Sequence, residues 1–140
     1  MTETTPLDTQ DAAEHQLAIR VMAMPKDANA YGDIFGGWMM AQLDIAGGII
    51  AIRTAQGRVA TVAVNAMRFI VPVSVGDLVS VYGWVEQVGR TSIRVRVEAF
   101  AERDRDLNQL HAVATATLTY VAMDEHCRPR PVRDSGKAPC

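Results

Sequence analysis

Residues 38–54 are the only stretch that reads as a long helix, and apolar side chains fall on nearly every side of it. Trp38, Met39, Met40, Leu43, Ile45, Ala46, Ile49 and Ile50 leave little polar face to turn toward water. A helix of that kind is wrapped by other elements rather than laid on a surface. Whatever else the chain forms must therefore supply a cover.

The rest of the sequence supplies strands. Residues 17–24 read as a first strand closed by Pro25, and Gly57 is expected to end the helix. Three further strands are expected at 58–71, 78–88 and 91–103, and a last one at 110–123. Turn residues separate them at 72–77, at Gly89-Arg90 and in the charged stretch 104–108. Arg94, Arg96 and Glu98 alternate with Ile93, Val95 and Val97, the period-2 pattern of a strand with one face wet or in contact with a partner. The order is strand, helix, four strands. That order predicts an α+β fold, with one antiparallel β-sheet wrapped around one long central helix. A single open sheet leaves unpaired edges, so pairing of two protomers is expected.

Length and composition set the frame. A chain of 140 residues with 49% hydrophobic and 21% charged residues is one ordinary globular domain. It is expected as a disordered leader over 1–15, a domain over 16–123 and a polar tail over 124–140. A net charge of -2 gives no general pull toward nucleic acid or an anionic membrane. The first residues lack the basic and apolar regions of a secretory signal, and no apolar stretch is long enough to span a bilayer. A cytoplasmic location is expected, with Cys127 and Cys140 as free thiols. The three histidines and two cysteines have no metal-ligand spacing, no serine sits in a nucleophile elbow, and no phosphate-cradling glycine-rich loop with Lys is present. Neither metal nor cofactor is implied.

One residue does not suit the helix. Asp44 is a carboxylate among apolar neighbours, with no Lys or Arg one turn away. An ionised carboxylate removed from water must be paired, hydrogen-bonded or functional. Gly47 and Gly48 lie one turn on, although each interior glycine costs a helix about 1 kcal/mol. The expected reason is space for a ligand beside Asp44. The alternative is a carboxylate that caps an amide or pairs with a distant Arg.

The loop before the helix carries Asn29 and Asp33, then Gly36-Gly37. Unpaired amides at a helix N-terminus favour developing negative charge, and glycines let a carbonyl oxygen approach. A carboxylate further along the helix could then activate water or attack directly, which is the apparatus of acyl transfer from a thioester. Asn29 and Asp33 serve equally well as plain turn or cap residues.

These residues resemble a known family. The run AMPKDANAYGDIFGGWMMAQLD at 23–44 is similar to the signature of YciA-type and brain-type acyl-CoA hydrolases of the hotdog fold. GRVATVAV at 57–64, MRFIVPVSVGD at 67–77 and VGRTS at 88–92 match in the same order. The pattern departs from the family's at Asn65, Arg68 and Val71. The resemblance implies a hotdog-fold acyl-CoA thioesterase that takes acyl-CoA and releases CoA. It implies a homodimer with composite sites, assembled further into a trimer of dimers. Asp44 then matches the general base or nucleophile, Asn29 a positioning residue from the opposite protomer, and Gly37 a catalytic amide at the helix start. Asp33, Phe35 and Gly36 fall in the substrate-binding loop, and Arg90, Thr91 and Ser92 match the segment that meets the nucleotide of CoA.

Related activities remain open at this point. Carrier-protein thioesters are an alternative substrate, and non-catalytic acyl-CoA binding is another function of such folds. Dehydration is disfavoured, because a dehydratase of this fold usually has a catalytic His near the helix start and none lies between residues 16 and 110.

Overall fold

The computed structural model of the chain describes residues 15–104 and 106–132. The expected leader and Cys140 lie outside these residues, apart from His15.

Five strands form one sheet: β1 (Gln16–Met22), β2 (Val59–Phe69), β3 (Leu78–Val88), β4 (Ser92–Glu102) and β5 (Leu110–Ala122). Their order is β1-β3-β4-β5-β2, and every pairing is antiparallel. The helix α1 (Gly36–Ala55) packs against all five strands. This is the α+β architecture expected from the pattern.

Inward residues of β4 are Ile93, Val95, Val97, Ala99 and Ala101, all buried. They meet Leu43, Ala46, Ile50 and Ala51 of α1, also buried. Helix and sheet come very close at Gly83 of β3. A Cβ there would lie 2.7 Å from Ile50 Cδ1 and 2.8 Å from the Arg96 carbonyl oxygen. Only glycine allows that contact without displacing backbone.

The sheet covers one side of α1. Met40, Ile45 and Ile52 are about half exposed in the single chain. Edge strand β2 is likewise open, with Val62 and Val64 on its surface. The all-round apolar pattern of α1 is thus satisfied only in part by the chain's own strands.

Two local readings change. Gln56, not Gly57, ends the helix: it adopts the left-handed conformation (φ 56°) and its N–H donates to the Ile52 carbonyl. Gly57 instead makes room for Arg130, whose Nη2 donates to the Ala55 carbonyl at 2.8 Å. The second change follows. Residues 124–132, read from sequence as polar tail, turn back on the domain: Met123 bridges Pro129, Val132 N donates to the Arg90 carbonyl, and Val132 is buried in the core.

Candidate active site

Asp44 lies on α1 at the border between the buried and the exposed faces and is half-buried. It is less enclosed than its apolar neighbours suggested, because the sheet stops short of that side. Two hydroxyls hold its carboxylate. Thr61 Oγ1 donates to Oδ1 at 2.8 Å. Tyr120 Oη lies 3.0 Å from the same Oδ1 and 2.8 Å from the Asp44 backbone carbonyl, a bifurcated donor geometry. Thr61 and Tyr120 stand opposite one another in the β2–β5 register, so both hydroxyls come from one cross-strand pair. Among the described residues Asp44 has no ion-pair partner and nothing donates to its Oδ2.

The space beside Gly47 is occupied from within the chain. A Cβ at Gly47 would lie 2.4 Å from Tyr120 Oη. The expectation that Gly47 and Gly48 open room for a ligand is therefore corrected at Gly47: it admits the tyrosine. Burial keeps the Tyr120 phenol protonated far above the usual tyrosine range, and the Asp44 carboxylate pushes the same way.

Asn29 works inside its own loop. Its Oδ1 accepts from Tyr31 N at 2.8 Å and Asp33 N at 3.1 Å, and Asn29 N donates to the Asp33 carbonyl. This is the turn role that the residue types allowed. Among the described residues the Asn29 side-chain NH2 has no acceptor. The loop is tied to the 72–77 turn through Asp33, which bridges Ser74, and through Ile34 N, which donates to the Val73 carbonyl. Phe35 is the N-cap of α1 and half exposed, and no side chain caps that end. Gly36 and Gly37 are exposed there. Helix rise places Gly37, seven residues before Asp44, about 10 Å from it along the axis. Within one chain the helix start and the carboxylate do not meet.

Arg90, Thr91 and Ser92 form the β3–β4 turn, fixed by Gly89 N donating to the Ser92 carbonyl and Ala122 N to the Thr91 carbonyl. Ser92 pairs with Val121, one residue along from Tyr120, so this turn lies at the Asp44 end of the sheet. The Arg90 side chain is exposed. Arg94 and Arg96 are engaged by Glu86 and Glu98 on the sheet surface.

At the other end of α1 lies an apolar groove of about 280 Å³. Ile34, Gly36, Met39, Phe69, Val71 and Val113 line it. Among the described residues no three His, Cys, Asp or Glu side chains converge as metal ligands would, and no helix is long and apolar enough to cross a membrane.

Thr61, Tyr120 and the groove were not singled out from sequence. Nothing local marks them: a Thr and a Tyr inside strands are ordinary β-formers.

Comparison with known proteins agrees with this architecture. The Thioesterase superfamily pattern matches residues 31–107. The chain is 42% identical over 124 residues to the acyl-CoA thioester hydrolase YciA of Escherichia coli strain K12, covering 87% of this chain and 94% of that one. Among solved structures, an Asp-to-Ala variant of a hexameric, broad-specificity acyl-coenzyme A thioesterase superposes with a TM-score of 0.79. It is 46% identical and covers 83% of this chain and 85% of its own. A hexameric hotdog fold thioesterase of Campylobacter jejuni gives a TM-score of 0.79 at 36% identity, covering 86% and 93%.

Proposed function

Because the chain belongs to the thioesterase superfamily and has its hotdog fold, we propose that it hydrolyses acyl-CoA to a free carboxylic acid and CoA, with Asp44 as the central catalytic carboxylate. The observation that carries this is Asp44 itself. It is a half-buried carboxylate with one oxygen fixed by two hydroxyls, the other without a donor, and no cation beside it among the described residues. A carboxylate held in this way at one oxygen keeps the other free to meet water or a thioester.

In this reading Asp44 acts as general base or as nucleophile. As base, it takes a proton from water while the water oxygen attacks the thioester carbon. The oxyanion that forms is held by amides at Gly36 and Gly37, and its collapse breaks the C–S bond and expels the CoA thiolate, which takes the proton back from Asp44. As nucleophile, its oxygen attacks the thioester carbon and expels the CoA thiolate to leave an acyl anhydride on Asp44, which water then hydrolyses to the free acid and the restored carboxylate. Both routes end at acid and thiol.

The roughly 10 Å between Gly37 and Asp44 supports a composite site. Asn29, with its free NH2, and the helix start would come from one protomer, and Asp44 from its partner. The open β2 edge and the exposed Ile45 and Ile52 give a surface for such a dimer. Assembly of three dimers into a hexamer fits neighbours that are described as hexameric. Asp33 and Phe35 border the substrate loop, the exposed Arg90 with Thr91 and Ser92 meets CoA phosphates, and the apolar groove takes the acyl chain. A cytoplasmic location belongs to the same reading.

The test is thiol release from acetyl-, butyryl-, hexanoyl- and palmitoyl-CoA by wild type, Asp44→Ala and Asn29→Ala. Wild type should turn over at least one chain length, and Asp44→Ala should lose about 100-fold or more while keeping its fold. Absence of turnover on every CoA ester would sink the proposal and turn attention to carrier-protein thioesters or simple acyl-CoA binding.

A further inference from the structure

We infer that Tyr120 is a positioning residue for the Asp44 carboxylate, and that Gly47 is glycine so that the Tyr120 hydroxyl can reach it. The inference rests on the proposed role of Asp44.

The inward residues of β5 are small or aliphatic (Ala114, Ala116, Leu118, Ala122) except for Tyr120, which is 1% exposed. A phenylalanine would fill the same volume without burying a hydroxyl. A buried hydroxyl must find a partner. Tyr120 finds two acceptors, both belonging to Asp44. The helix also yields to the contact, since Gly47 is buried in mid-helix, where glycine is unfavourable, and a Cβ would meet Tyr120 Oη at 2.4 Å. Two separate concessions, a desolvated hydroxyl and an interior glycine, thus serve one bifurcated contact to Asp44.

That bond has a consequence for chemistry. The bifurcated hydroxyl ties the carboxylate to its own backbone carbonyl, and Thr61 holds the same oxygen from the neighbouring strand. Rotation of the Asp44 side chain is thereby restricted, and Oδ2 is the oxygen left to act. Rigid support of this kind is what a reacting group needs to stay in productive geometry.

The experiment compares wild type, Tyr120→Phe, Gly47→Ala, the double variant and Asp44→Ala, each checked for fold by circular dichroism. The readout is kcat and KM for an acyl-CoA. Tyr120→Phe should lose roughly 10-fold in kcat with KM little changed. Gly47→Ala should show a similar loss, and adding it to Tyr120→Phe should cost less than it does alone, because the clash with the hydroxyl is gone and only the ring-carbon contacts at 3.2 Å remain. Wild-type kcat in Tyr120→Phe overturns the inference, as does a loss that falls on KM alone or that only tracks a lowered melting temperature, which marks a purely structural role. Full activity in Asp44→Ala is a different failure: it removes the proposed site itself, whatever Tyr120 does.

Discussion

Asp77 and Arg103 form a two-pronged ion pair, Nε to Oδ1 at 3.1 Å and Nη2 to Oδ2 at 2.9 Å, with the aspartate 1% exposed. The same carboxylate accepts from Ser74 N, and Arg103 Nη2 also donates to the Pro72 carbonyl. The pair therefore pins the 72–77 turn to the end of β4. That turn in turn holds Asp33 and Ile34, just ahead of the helix start. A charge pair remote from Asp44 fixes the loop that carries the other half of the proposed site.

Arg103→Met should therefore cost about 2 kcal/mol of stability. Loss of a partner to a buried carboxylate is severe, but the guanidinium is partly exposed and its share is screened. Urea denaturation with an unchanged m-value would check this. A loss below about 0.5 kcal/mol would show that water replaces the arginine easily.

Gly83→Ala should destabilise the domain by about 1–3 kcal/mol, because one added methyl presses on Ile50 and on the Arg96 carbonyl together. Ile50 can swing; the backbone carbonyl of a central strand cannot. Thermal melting of the variant against wild type reads the effect, and an unchanged melting temperature would contradict the close approach.

Alkaline titration should single out Tyr120. Burial, with the Asp44 charge beside it, raises the folded-state value of its phenol. The folded protein then keeps a proton that the unfolded chain releases near pH 10. Stability from this source is complete below about pH 10 and falls as pH rises beyond it, by up to about 1.4 kcal/mol per pH unit. Tyr120→Phe should lack this extra slope. In the wild type, tyrosinate absorbance should show one of the three tyrosines ionising only on unfolding.

Ile45→Lys should split the proposed dimer. Ile45 is 51% exposed on the uncovered strip of α1, where a partner is expected. Sedimentation velocity should show monomer, and thioesterase activity should fall with it if sites are shared between protomers. Active monomers would refute the composite site.

Val71→Trp should narrow the acyl preference. Val71 is on the rim of the apolar groove and exposed enough to accept a larger side chain without unfolding. The ratio of kcat/KM for hexanoyl-CoA over acetyl-CoA should drop about 10-fold or more. An unchanged ratio would place the acyl chain elsewhere.

Much of the fold is legible from local pattern. β3 spans Leu78–Val88 as expected, and the alternation of Ile93, Val95 and Val97 with charged residues correctly assigns the faces of β4. Asp44 stands out because a carboxylate within an apolar helix is a local anomaly. The partners of that carboxylate are not legible. Tyr120 is 76 residues away and Thr61 is 17, and only the β2–β5 register brings them together. The same holds for Asp77 and Arg103, which are 26 residues apart.

By itself, then, the sequence determined the elements, their order and the carboxylate at their centre, because periodicity and burial cost act over a few neighbouring residues. Tertiary structure alone decided what Asp44 is bonded to, why Gly47 is glycine, that Val132 belongs to the core, and which strip of α1 the chain leaves uncovered. Those depend on strand register and on the close approach of helix to sheet, which are set by the packing of the whole domain.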